Sequence, residues 1–200
     1  MNDNMSTEDI KKEIDFWNNY IQDGKNFKHK NFYVDFFDFS AISGLVLEVG
    51  CGGSPFITYA DKIANNLDLH LLDPLINEIS SIPRYSFLNH YKTFNTNLLN
   101  FTSDIKYKYI ICLNVLDHFG SKHVNFIDKM KELLNHNGKL LLYYDIRQTY
   151  SEGHYAINHN DVNNYIKENF SIIKESQSIN PEHQNWSTVY GSARYILEKK

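Results

Sequence analysis

Apolar residues along this chain fall into two rhythms that take turns, continuous short runs and stretches spaced three and four apart. Runs at about 45–49, 68–72, 90–95, 108–113 and 139–145 read as strands. Phe170–Lys174 and Tyr195–Lys199 read as two closing strands. Between them, Val124, Ile127, Met130 and Leu134 share one face of a helix over Ser121–Asn135, with Asn137-Gly138 as its stop. Asp161–Asn169 reads as a shorter helix. Near the N-terminus, Ile10, Ile14, Trp17 and Ile21 recur at helical spacing behind a Ser6–Asp9 start of capping-box type. Phe27, Phe32, Tyr33, Phe36, Phe37 and Phe39 crowd the next stretch, which predicts a second helix covering the sheet edge or the site. Whether Trp17 and these aromatics form a lid or only pack the core stays open. Strands alternating with helices predict an α/β fold with a largely parallel sheet covered on both faces.

The first strand runs into Leu45-Val-Leu-Glu-Val-Gly-Cys-Gly-Gly53, a glycine cluster with one carboxylate, Glu48, two residues before the first glycine. A Pro-led segment with helical spacing follows, which predicts a strand–glycine loop–helix unit. In an open α/β sheet, ligands bind beyond the carboxyl ends of the strands. Glycines there permit positive φ and let a ligand touch bare backbone. A dinucleotide fingerprint needs a third glycine at position 55, where the chain has Pro55, and a phosphate-binding loop needs Gly-Lys-Ser/Thr, which is absent. A carboxylate at the loop mouth repels a pyrophosphate and suits a cofactor with a positive centre. Asp73, at the end of Leu69-His-Leu-Leu and 23 residues after Gly50, falls where the next strand delivers its tip beside the loop. A carboxylate there accepts both hydroxyls of a ribose.

Length and charge narrow the function classes. Two hundred residues make one domain, read as a helical cap over 1–42 and a sheet core over 43–200. The net charge of −4, with no basic run, argues against an extended nucleic-acid surface. No stretch approaches the length of a membrane span and the N-terminus has no signal-peptide shape, so the expected location is the cytoplasm, with no membrane partner. Cys51 and Cys112 suggest neither a disulfide framework nor a zinc site.

Four stretches in order resemble the class I S-adenosylmethionine-dependent methyltransferases over about residues 43–175. They are Leu45–Gly53, Leu69–Asp73, Tyr107–His118 and Leu133–Leu142. The resemblance implies a Rossmann-like, doubly wound, seven-stranded sheet, mostly parallel with an antiparallel last strand and helices on both faces. It implies S-adenosyl-L-methionine as cofactor. Glu48 would face its methionine end, directly or through water. Gly50, Cys51 and Gly52 would line its close backbone approach, and Asp73, with Pro74 beside it, would hold the ribose. Thr96, Asn97 and Leu98 stand where the adenine contact is found, and Asn114 lies beneath the expected sulfonium. The sequence departs from the family pattern at Ser54, Asn97 and Lys108.

Methyl transfer from a sulfonium is an in-line displacement, so positioning supplies most of the catalysis. An oxygen or nitrogen acceptor that loses a proton gains from a general base. His118, after the fourth strand, is the first candidate; His159 and His154, after the fifth, are alternatives. Asp117 with His118 resembles an acid–histidine pair that binds a divalent ion in some relatives, but no third ligand is visible and no metal is expected. No separate substrate domain is present, so the expected acceptor is a small molecule. The Glu13-Ile-Asp-Phe-Trp17 start resembles bacterial methyltransferases acting on sugars and secondary metabolites, methylated at oxygen or nitrogen. Two other readings stand beside this one: a non-catalytic cofactor-binding or scaffold protein of the same fold, and an NAD-dependent oxidoreductase, which Pro55 and Glu48 oppose. The sequence says nothing of the oligomeric state.

Overall fold

A seven-stranded sheet organises the chain in the order β3-β2-β1-β4-β5-β7-β6. The computed structural model describes residues 7–19, 33–58, 60, 62–118, 122–147, 155–179 and 189–200. The strands are β1 (Gly44–Val49), β2 (Leu67–Leu72), β3 (Lys92–Phe94), β4 (Tyr107–Leu113), β5 (Leu134–Arg147), β6 (Phe170–Ile179) and β7 (Val189–Lys199). The α-helices are α1 (Thr7–Asn19), α2 (Ile76–Ser81), α3 (His123–Leu133) and α4 (His159–Asn169). β1 pairs parallel with β2 and β4, β2 with β3, and β4 with β5. β7 runs antiparallel to both β5 and β6 and is the reversed strand of the sheet. No helix among the described residues is long and apolar enough to cross a membrane.

Continuous apolar strands are the signature of a sheet buried on both faces, and two separate cores meet it. Leu47, Cys112, Leu142 and Tyr144 face Phe126, Ile127 and Met130 of α3 and Val162 and Ile166 of α4. Val46, Leu71, Ile111 and Tyr143 face Ile76 and Ile79 of α2, together with Phe37, Phe39, Phe56 and Tyr85; Ile10, Ile14 and Trp17 of α1 pack onto the same layer. Burying each large apolar side chain contributes about 1.5–3 kcal/mol. The carboxyl ends of β1, β2 and β4 are therefore fixed points, and the site grows from them.

Four expectations need correction. No α-helix follows the glycine loop among the described residues; a single 3-10 turn, Phe56–Thr58, stands there. The β-branched Ile57 and Thr58 disfavour a helix, and the Thr58 hydroxyl donates back to the Pro55 carbonyl at 2.8 Å, closing a turn instead. Tyr33 and Val34 are helical, but the chain then turns and enters a 3-10 helix at Phe39–Ala41 instead of staying helical to Phe39; Phe27 and Phe32 lie outside the described residues, as do Ser6 and Ile21. The α3 helix ends at Leu133, because Leu134 already pairs with Tyr107 of β4. Asn137, at φ 62°, and Gly138 therefore make an irregularity inside β5, where a Cβ on Gly138 would lie 3.0 Å from the Tyr107 carbonyl. The last three strands also run longer than the apolar runs that announce them, since residues 146–147, 175–179 and 191–194 still pair across the sheet.

Candidate functional site

Strand order reverses between β1 and β4, and at such a switch point the strand ends leave a crevice. The glycine loop fills the mouth of it. Gly50 (φ 65°) donates its N–H to the Leu72 carbonyl at 2.7 Å, locking the loop to the tip of β2. A Cβ on Gly50 would sit 2.5 Å from Val115 Cγ1, so position 50 demands glycine on both backbone and steric grounds. Cys51 turns its side chain into the core, where burial, then Asp73 and Glu48, push its thiol pKa well up. It offers a ligand its backbone only.

The two carboxylates have different jobs. Both oxygens of Glu48 accept the Phe56 N–H, at 2.8 and 3.0 Å, and the side chain is buried. Burial raises its pKa well above the usual range, and the Phe56 bond opposes this. Glu48 thus holds the 3-10 turn against β1, a use its place in the motif did not announce. Asp73, at the tip of β2, receives the Gly52 N–H on Oδ2 at 3.0 Å and the Leu75 N–H on Oδ1 at 2.8 Å. Burial raises its carboxyl to about 6; the Leu75 and Gly52 N–H groups pull the other way, and Glu13 and Glu78 add to the rise. Each carboxylate oxygen has a second acceptor site, so Asp73 clamps the loop and keeps capacity for two donors. Pro74 beside it is exposed.

Asn114 follows β4 in the left-handed region at φ 59°, with its N–H on the Tyr143 carbonyl at 3.0 Å. Its Oδ1 is buried and has no hydrogen-bond partner among the described residues, an acceptor held ready at the switch point. Asn97 spends its side-chain oxygen on the Asn100 N–H at 2.9 Å, capping a 3-10 turn, and Leu98 is buried in the core. Of the positions expected at an adenine, Thr96 and Asn97 are half-buried and Leu98 presents no surface.

The histidines separate sharply. His118 is exposed in the turn after β4, its Nε2 4.0 Å from Asp117 Oδ1. His159 opens α4, with Nδ1 2.9 Å from the Tyr144 hydroxyl and Nε2 3.1 Å from Gln177 Oε1. Both nitrogens are engaged inside the protein, so His159 reads as a packing residue rather than as a base. His154 lies outside the described residues.

A polar chain that sequence reasoning missed runs from His118 across the end of β5. The fully buried Asp117 accepts Arg147 Nε at 2.6 Å, and Arg147 Nη2 lies 3.5 Å from Asp145 Oδ2. The Tyr143 hydroxyl donates to Asp145 Oδ1, and the Tyr33 ring meets the Tyr143 ring edge-on at 5.3 Å. Period-two spacing of Tyr143, Asp145 and Arg147 was the available signal, since it sets three polar-tipped side chains on one face of one strand.

No family model matches the sequence, and no curated protein matches it. Solved structures do resemble it. The N-methyltransferase NodS from Bradyrhizobium japonicum WM9, in complex with S-adenosyl-L-homocysteine, is similar with a TM-score of 0.66 and 18% identity, over 96% of this chain and 97% of that one. The Burkholderia thailandensis 1,6-didemethyltoxoflavin-N1-methyltransferase, with its substrate and S-adenosylhomocysteine bound, has a TM-score of 0.64 and 8% identity, covering 96% and 87%. The [4+2]-cyclase SpnF has a TM-score of 0.64 and 12% identity, covering 85% and 79%. The chain has the class I methyltransferase fold.

Proposed function

We propose that this protein is an S-adenosylmethionine-dependent methyltransferase acting on a small-molecule acceptor. The observation that carries the reading is Asp73, a buried carboxylate with spare acceptor capacity, clamped to a positive-φ glycine loop at the switch point. That donor and acceptor set fits an adenosyl cofactor. Asp73 takes the ribose hydroxyls, Gly50 and Gly52 allow close backbone approach, and the orphaned Asn114 Oδ1 accepts a donor beneath the reacting end. When bound, the cofactor supplies an electrophilic methyl group on a sulfonium.

The rest falls to the chain's own residues. His118, exposed in the turn after β4, would take the proton that an oxygen or nitrogen nucleophile gives up, a contribution of about 10²–10⁴-fold. Asp117, held by Arg147, is the carboxylate beside that imidazole. Tyr33, Tyr143 and Asp145 continue that polar chain and would give an acceptor aromatic neighbours with a carboxyl beside them. Solved neighbours that hold S-adenosylhomocysteine support the cofactor assignment. A nicotinamide dinucleotide fits poorly: Pro55 replaces the third glycine, and among the described residues no α-helix follows the loop to present its N-terminus to a pyrophosphate.

The fold also carries a [4+2]-cyclase, so turnover must be tested apart from binding. The test incubates the protein with S-adenosylmethionine and a panel of small alcohols, amines and sugars, and measures S-adenosylhomocysteine released. Acceptor-dependent release is expected. Cofactor binding with no release across the panel would favour a binding or scaffold protein, and no cofactor binding would overturn the proposal.

A further inference from the structure

The face of the glycine loop that a ligand would touch is covered by an indole. A Cβ on Gly52 would collide with Trp17 Cζ2 and lie 2.8 and 2.9 Å from Cη2 and Cε2. A Cβ on Gly53 would meet Trp17 Cε3 and the Tyr85 ring, each at 2.8 Å. Trp17 therefore lies flush on the backbone of the loop whose Gly52 N–H is bonded to Asp73. A ligand lying on that same bare face and the indole exclude one another.

The side chain arrives there on α1, which is anchored from outside. The last turn of α1 carries no basic residue, and Arg84 supplies the missing cation: Nη2 donates to the Trp17 carbonyl at 3.0 Å and to the Asn18 carbonyl. The Tyr85 hydroxyl donates to the Trp17 carbonyl at 3.1 Å, and its ring meets the indole edge-on at 5.8 Å. The Trp17 indole N–H goes to Glu13 Oε1 at 2.8 Å, and Glu13 lies near enough to Asp73 to act on its charge. Exposed hydrogen bonds to helix-end carbonyls are weak ties, and a helix of this length does not hold its place by propensity.

We propose that Trp17 is the gate residue of the cofactor site, resting on Gly52 and Gly53 in the free protein and leaving them when an adenosyl ligand binds, with Arg84 and Tyr85 as the latch. The inference rests on the cofactor reading above.

The chain has two tryptophans, so Trp186→Phe leaves Trp17 as the sole indole reporter. Titrating this variant with S-adenosylhomocysteine should shift Trp17 emission to the red and raise its acrylamide quenching about twofold, as the indole leaves the loop and Tyr85. Adding Arg84→Ala in the same background should speed association in stopped flow by about fivefold, because the open state becomes more populated. Trp17→Phe, which keeps an aromatic in the core, should speed association in a surface-binding assay likewise. Binding of the ligand with no change in Trp17 emission or quenching would overturn the gate and leave the cofactor reading intact. So would an Arg84→Ala variant that binds more weakly without associating faster, which would make Trp17 a fixed wall. No binding by the parent, by Arg84→Ala or by Trp17→Phe would overturn the cofactor reading, and the gate with it.

Discussion

Acidification should weaken cofactor binding while it stabilises the ligand-free protein, because one carboxylate governs both. Burial raises Asp73 from an ordinary 3.8 to about 6, against the pull of the Leu75 and Gly52 N–H groups. A carboxyl raised in the folded state favours folding when protonated. Its contribution is fully present below 3.8 and is lost as pH climbs through about 6. At about 1.4 kcal/mol for each pH unit, the difference amounts to about 3 kcal/mol. Glu48 is raised by burial too and adds with the same sign. Ribose hydroxyls need the ionised form as acceptor. At pH 5 only about one Asp73 in ten is ionised, so affinity for S-adenosylhomocysteine should fall about tenfold from its value at pH 8. Calorimetric titrations across that range read the affinity, and thermal melts of the ligand-free protein read the stability. Asp73→Asn is the control: it should bind more weakly at pH 8 by about 1.5 kcal/mol or more and lose the tenfold slope. An affinity flat in pH, or the same slope in Asp73→Asn, would refute the role of Asp73 as ribose acceptor.

His118→Ala should leave S-adenosylhomocysteine affinity nearly unchanged, cut turnover about 10²-fold and abolish the acid limb of the pH–rate profile. A large drop in melting temperature with turnover preserved would make it structural. Arg147→Ala removes the guanidinium from the fully buried Asp117 carboxylate and should cost about 3 kcal/mol in urea unfolding, a loss that Asp117→Asn in the same chain partly restores. Gly50→Ala meets both a positive φ and the Val115 side chain, so a destabilisation of about 2 kcal/mol or more is expected in thermal melts; an unchanged melting temperature would mean the loop takes another path.

The architecture was legible wherever a single element carries its own signal. The run Leu45–Val49 is a strand because four of its residues are buried between two cores, and period alone announces that. Asp73 was legible because a strand tip is a fixed distance along the chain from the loop it serves. What escaped depends on partners that sequence does not pair. Glu48 turns inward to the Phe56 N–H eight residues on, a bond that exists only because the loop doubles back. His159 is claimed by Tyr144 and by Gln177 on β6, which the fold alone brings together. Asp145 closes the run at 139–145 and Arg147 lies just beyond it, and strand parity sets both beside Tyr143. The expected helix after the loop failed for a local reason, the Thr58 hydroxyl competing for the Pro55 carbonyl.

The central claim is that the glycine loop and Asp73 hold an adenosyl cofactor bearing a positive centre rather than a dinucleotide. Side-by-side calorimetric titration of the protein with S-adenosylmethionine, S-adenosylhomocysteine and NAD tests it most directly. Micromolar binding of the first two and none of NAD is expected. Binding of NAD more tightly than either adenosyl ligand would contradict it.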